Sequence, residues 1–171
     1  MKLTIRPARP EDAVPACHVL RRSIEQCCIE DHRNDAAILS AWLANKTPET
    51  VRTWFSSSVN FSAVALAGEE IVGVATLTRQ GKIVLCYVTP EVRYTGAGKA
   101  LLQALETRAR EWGLRTLQVC STVSANAFYQ RNGYVAAGTR RTVYGIEAVA
   151  LSKNLCPASY TPRRNPCGCG S

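Results

Sequence analysis

Along the first third of the chain, apolar residues recur at helical spacing, and from residue 62 the period changes to two. Residues 3–6 alternate and predict a strand, after which Pro10-Glu11-Asp12 opens a helix that carries Val14, Cys17, Leu20, Ile24 and Cys27 on one side. Residues 30–34 form a polar link. Ile38 with Trp42, and Leu39 with Leu43, mark a second helix; Thr47-Pro48-Glu49 caps a short third one bearing Val51, Trp54 and Phe55. Residues 62–66, 71–78 and 82–88 then read as three strands of an antiparallel meander, joined through Gly68-Glu69-Glu70 and Arg79-Gln80-Gly81. A helix with Leu101, Leu105, Ala109 and Trp112 on one face stops at Gly113. Residues 114–120 predict a strand, 124–131 a short helix ended by Asn132-Gly133, and 134–137 and 143–151 two closing strands. The predicted order is β-α-α-α-β-β-β-α-β-α-β-β, an α/β domain over residues 1–153.

The join between the fourth strand and the long helix carries candidate chemistry. The first N–H groups of a helix have no intrahelical acceptor and the helix dipole is positive there, so an anion is stabilised. Gly96 and Gly98 would let it approach the amides, and Arg93 and Lys99 add charge. A Walker loop does not fit, because Ala100 follows Lys99 and Arg93 stands where its first glycine belongs. Nor does a dinucleotide fingerprint, whose third glycine is Leu101 here.

What remains, Arg-x-x-Gly-x-Gly at 93–98, resembles the coenzyme A pyrophosphate loop of the GCN5-related N-acetyltransferases. A second segment, Ser-Ala-Asn-Ala-Phe-Tyr-Gln-Arg-Asn-Gly-Tyr at 124–134, is similar to that family's A-x-x-F-Y-x-x-x-G-F/Y pattern, with Ala125, Phe128, Tyr129, Gly133 and Tyr134 in place. The resemblance covers about residues 2–153. It implies a mostly antiparallel sheet splayed between its fourth and fifth strands, where the pantetheine arm of acetyl-CoA lies against backbone groups of Tyr87, Val88 and Thr89. The N–H of Val88 would polarise the thioester carbonyl. The amides of Tyr94, Thr95, Gly96, Ala97, Gly98 and Lys99, with Arg93 beside them, would hold the pyrophosphate, and Asn126 would contact the cofactor. Family precedent makes Tyr129 the proton donor to the leaving thiolate. Tyr129 and Phe128 are adjacent on a helix and are expected to face different ways.

The general base is open. Relatives place a Glu on the fourth strand, and residues 82–88 contain no carboxylate. Asp31 and His32, in a link that overhangs the acceptor end in this fold, are candidates, and a water chain is another. His32 has the intrinsic pKa for the task, and a histidine in a polar link is expected at the surface. Tyr87 is a substrate-positioning candidate if its ring faces the cleft.

At 171 residues, with 46% hydrophobic and 20% charged residues, the composition suits one folded domain. The N-terminus lacks an apolar leader segment and no stretch approaches a membrane span, so a cytoplasmic protein is expected. The formal charge of +8 suits an anionic ligand and argues against a polyamine acceptor. Its basic residues are scattered, with no aromatic-interleaved stripe, so nucleic acid is not an expected partner. Of eight cysteines, Cys17, Cys27, Cys28, Cys86 and Cys120 fall in predicted helices and strands and are expected to be reduced, Cys120 in the core. Residues 164–171 resemble the first half of a SEC-C-type zinc motif, but Cys156, Cys167 and Cys169 fall short of four ligands, and a disordered tail over 154–171 without metal is expected.

These readings imply an enzyme that moves acetyl from acetyl-CoA to a small-molecule primary amine in a ternary complex, as a monomer or homodimer. Acetylation of protein N-termini or lysines, or a non-catalytic acyl-CoA-binding regulator, are the alternatives.

Overall fold

The computed structural model describes residues 2–155, so Cys156, Cys167, Cys169 and the metal question attached to them lie outside the described residues. One seven-stranded sheet forms the centre, in the order β1-β2-β3-β4-β5-β7-β6. Its strands are β1 (Leu3–Pro7), β2 (Asn60–Ala67), β3 (Glu70–Thr78), β4 (Lys82–Val88), β5 (Thr116–Thr122), β6 (Val135–Val143) and β7 (Ile146–Asn154). Neighbours are antiparallel except β4 and β5, which run parallel. The helices are α1 (Ala13–Cys27), α2 (Ile29–His32), α3 (Ala36–Leu43), α4 (Pro48–Ser56), α5 (Ala97–Glu111) and α6 (Asn126–Arg131).

Successive strand residues face opposite sides of a sheet, and β2 divides its apolar residues accordingly. Ala63 and Ala65 pack with Leu101, Leu102 and Leu105 of α5, while Val64 packs with Ala13, Leu20 and Val51 of α1 and α4. On the α5 side, Glu106 is buried and accepts hydrogen bonds from the Tyr134 hydroxyl (3.1 Å) and Lys153 Nζ (2.8 Å), tying α5 to β7.

Two segments differ from the sequence reading. The polar link after α1 is a helical turn, α2, closed by Arg33 and Asn34 at φ 52° and 56°. His32 organises it from the inside: the ring is fully buried, Nε2–H donates to the Ile24 carbonyl at 3.0 Å, and Nδ1 accepts the Asn34 N–H at 3.0 Å. A surface histidine was expected there, but the ring satisfies backbone groups of Ile24, Glu25 and Asn34 that the turn would otherwise bury unpaired. The last hairpin also turns later than its glycines suggested. β6 continues to Val143, which pairs with Ile146, and Tyr144 and Gly145 form the two-residue turn at φ 55° and 85°. Both central residues need positive φ in a turn of this hand. Gly138, at φ 75°, lies in a register slip between Ala136 and Arg140 rather than in a turn.

Candidate active site

The site begins with a leftover residue. β3 and β4 pair Thr76 with Leu85 and Leu77 with Ile83, which leaves Val84 unpaired as a bulge. β4 pairs with β5 only at Lys82 with Gln118 and Ile83 with Val119, so the two strands part where the bulge bends β4. Beyond it, the edge of β4 facing β5 carries free backbone groups.

Alternation in the antiparallel ladder says whose they are. The Thr89 N–H donates to the Val72 carbonyl at 2.8 Å, and the Thr89 carbonyl accepts the Val92 N–H at 3.2 Å. Residues two apart share a direction, so the Tyr87 amide also turns toward β3, and the Val88 amide turns into the gap. Of the three backbone positions expected there, Val88 alone opens to the gap. Thr89 offers its buried hydroxyl instead, and Tyr87 its ring.

Past β4 the chain makes a 3₁₀ turn (Pro90–Val92), and the Thr95 hydroxyl donates to the Val92 carbonyl at 2.6 Å. Tyr94 and Gly96 take positive φ, 62° and 93°, which swings the loop into α5 at Ala97. The amides of Ala97, Gly98 and Lys99 are the first of that helix and have no intrahelical acceptor. A Cβ on Gly96 would meet nothing within 4 Å, so that side of the loop is open. A Cβ on Gly98 would lie 3.3 Å from the Phe128 ring, so this glycine admits an aromatic neighbour. Arg93 lies over the exposed Tyr94 ring, 5.1 Å from its centroid, at the outer edge of the loop; the Lys99 side chain is also exposed.

Helix α6 brings its own residues up beside β4. Tyr129 packs in the cluster that also takes Cys86, and burial pushes the phenol well above its usual pKa and the thiol up to about 12. Tyr129 is 5% exposed, edge-on to Tyr134 with centroids 5.6 Å apart. Phe128, partly buried, packs against the same core, contrary to the expectation that adjacent residues would diverge, with its ring edge-on to Tyr129 at 5.1 Å between centroids. The Asn126 carbonyl oxygen Oδ1 is buried with no hydrogen-bond partner among the described residues.

On the opposite side of the sheet a cleft of about 730 Å³ opens over β4, β5 and β7. Tyr87 lines it, packed with Trp42, while burial raises its pKa. Asp31 and His32 are absent from its lining. The Asp31 carboxylate accepts from the backbone N–H and the hydroxyl of Ser124, pinning α2 to the turn before α6, and both His32 ring nitrogens are engaged as described. Neither is a free base, since each is held by a hydrogen bond that folds the link. Cys120 is exposed and lines the cleft, not the core: on β5 the alternation puts Leu117, Val119 and Ser121 inward and Cys120 outward. Sequence reasoning passed over Lys46, which lies in this cleft 4% exposed; followed by the cap Thr47-Pro48, it carries no signal that separates it from a solvated lysine.

The family model described as "Acetyltransferase (GNAT) domain" matches residues 28–155. The chain belongs to the GNAT acetyltransferases. Among curated relatives, an amino-acid acetyltransferase of Pseudomonas putida (strain GB-1) is 41% identical over 61 residues, 36% of this chain and 14% of that protein; one of Pseudomonas fluorescens (strain Pf0-1) is 45% identical over 51 residues, 30% and 12%. The match thus spans about a seventh of the length of the first relative. A GCN5-related N-acetyltransferase structure from Rhodopseudomonas palustris, also described as an aminotransferase of class II, superposes with TM-score 0.80 at 26% identity, covering 90% of this chain and 96% of that one. The paia N-acetyltransferase of Thermoplasma acidophilum, solved with coenzyme A, shares the fold at TM-score 0.75 and 18% identity, covering 90% and 99%. The parted β4 and β5, the glycine loop and Tyr129 all fall inside the stretch matched by the GNAT model.

Proposed function

We propose that this chain transfers the acetyl group of acetyl-CoA to a primary amine on a small molecule, by direct attack with both substrates bound. The observation that carries the reading is the Val88 amide, turned into the gap where β4 leaves β5. The surroundings fit coenzyme A: the leading amides of α5 suit the pyrophosphate, the open side of Gly96 admits it, and the unpaired Asn126 Oδ1 awaits a donor. Tyr94, Thr95, Gly96, Ala97, Gly98 and Lys99 would hold the diphosphate through backbone groups, with Arg93 adding charge and Thr89 its hydroxyl. Acetyl-CoA supplies an activated acyl group as its thioester.

The Val88 N–H donates to the acetyl oxygen and stabilises the negative charge that develops on it during attack. Tyr129 keeps its proton at neutral pH and presents it on the side of β4 shared with Val88, where a departing sulfur requires one. Tyr87 positions the acceptor from the other face. An alkylammonium must lose a proton before attack, at a cost of about 4 to 5 kcal/mol at pH 7 without assistance. With Asp31 and His32 engaged in the fold, water in the open cleft takes that proton.

Incubating the protein with acetyl-CoA and a panel of small amines and peptides, read by product mass, tests the reading. Acetylated small amine is the expected product. Acetyl-CoA binding with no acetylated product would leave a regulator instead. Thiol reagents are unsuitable, because the chain's eight cysteines react alongside released coenzyme A.

A further inference from the structure

Lys46 is an ammonium enclosed without an acid. It sits in the turn between α3 and α4, and its Nζ donates to the Trp42 carbonyl at 3.2 Å and to Asn45 Oδ1 at 2.6 Å, two neutral oxygens. The third N–H remains, and Nζ stands 5.4 Å from the centroid of the Tyr144 ring, across the cleft mouth at the tip of the last hairpin. Among the described residues that line the cleft, the charged ones are Lys46 and Lys82; none is a carboxylate. A buried charge is costly unless a counter-charge meets it. Here the counter-charge has to come from a ligand.

We propose that Lys46 selects the acceptor by holding the carboxylate of an amine that also bears an acid group, an apolar amino acid in chemical class. The proposal rests on the transfer reaction proposed above. Trp42 stands between Lys46 and the reaction centre, since its carbonyl takes a hydrogen bond from Lys46 and its side chain packs with Tyr87, the neighbour of Val88. A carboxylate on Lys46 keeps the adjacent amine in the cleft that Tyr87 also lines. Trp54 and Tyr144 give the cleft walls for an apolar side chain. An acceptor with several ammonium groups meets two lysines and no acid, so it is repelled.

The test compares L-phenylalanine with phenethylamine, and L-leucine with isoamylamine, as acceptors for the full chain. Wild type is expected to favour each acid-bearing amine by about tenfold or more in kcat/KM. Lys46→Met is expected to remove that preference by raising KM for the amino acids about tenfold while leaving the decarboxylated amines within about twofold. Lys46→Arg is expected to keep part of it, and thermal melting confirms that both variants fold. A wild type that favours the decarboxylated amines, or a Lys46→Met variant that loses both classes alike, overturns the proposal. If no amine is acetylated, the transfer reading fails by itself. Binding of L-phenylalanine to the coenzyme A-loaded protein, followed by tryptophan fluorescence, then decides on Lys46: binding weakened by Lys46→Met supports it, and no binding overturns it.

Discussion

The Phe128 ring lies where a side chain on Gly98 would begin, 3.3 Å from the ideal Cβ position. One glycine of the loop before α5 therefore serves the short helix that carries Tyr129. The two family segments, thirty residues apart, are parts of one packing unit: the loop helix cannot shift without moving the phenol.

The two loop glycines are expected to fail differently. Gly96→Ala meets no neighbour but must hold φ 93°, which costs about 1 to 3 kcal/mol of stability. Gly98→Ala is sterically tight against a half-buried ring, and the helix gains up to about 1 kcal/mol in propensity, so stability changes little. Its displacement of Phe128 should appear instead in kcat. Urea unfolding beside steady-state kinetics separates the two.

Val88→Pro removes a β4 amide turned into the gap without taking a hydrogen bond from the β3 ladder. Turnover is expected to fall about 10² to 10³-fold with the melting temperature nearly unchanged. A variant that keeps full kcat would show that this amide does not support the reaction.

Tyr129→Phe keeps the ring packing against Tyr134 and deletes the buried hydroxyl. The stability loss should be about 1 kcal/mol, and kcat should drop about 10²-fold or more with little change in KM for acetyl-CoA. Unaltered turnover would make Tyr129 a core aromatic and nothing else.

Lys153→Met leaves buried Glu106 with the Tyr134 hydroxyl as its remaining partner. Because Lys153 is partly exposed, with 24% of its side chain accessible, the expected loss is about 1 to 3 kcal/mol, below the full cost of breaking a buried pair. Denaturant midpoints measure it, and a loss within error would mean that water replaces the ammonium.

Lys46 gives stability a pH signature. Burial holds its pKa down to about 8 against 10.5 in the unfolded chain, so between those values the unfolded state binds the extra proton. Stability from this residue therefore rises as pH climbs from about 8 to 10.5, by an amount on the order of 3 kcal/mol, and the penalty is fully present below pH 8. Lys46→Met lacks that rise. The stability difference between variant and wild type should shift in favour of wild type across this window, and a constant difference would mean that Lys46 titrates as an exposed lysine.

The sequence was a good guide wherever structure followed from neighbours in the chain. Helix and strand periods, the cap at Thr47-Pro48, the stop at Gly113 and the strand-glycine-helix join at 88–99 all depend on residues within one or two turns of each other. It misjudged residues whose surroundings are set by how segments pack rather than by the local pattern. His32 reads as surface until Ile24 and Asn34 close around its ring, and Asp31 as a free acid until Ser124, ninety-three residues on, takes it up. The turn at Tyr144-Gly145 was hidden for a related reason: Gly138 carries the same local turn signal and spends it on a register slip against β7.

The amino-acid sequence alone determined the order of the strands and the glycine turn that opens α5, because hydrophobic period and backbone freedom are local properties. Tertiary structure decided which amide faces the gap, since that depends on which carbonyl of β3 claims its neighbours. It also decided that Lys46 is enclosed, since burial is a property of the residues that cover a side chain, and those include Trp42 of α3 and Tyr144 at the tip of the last hairpin.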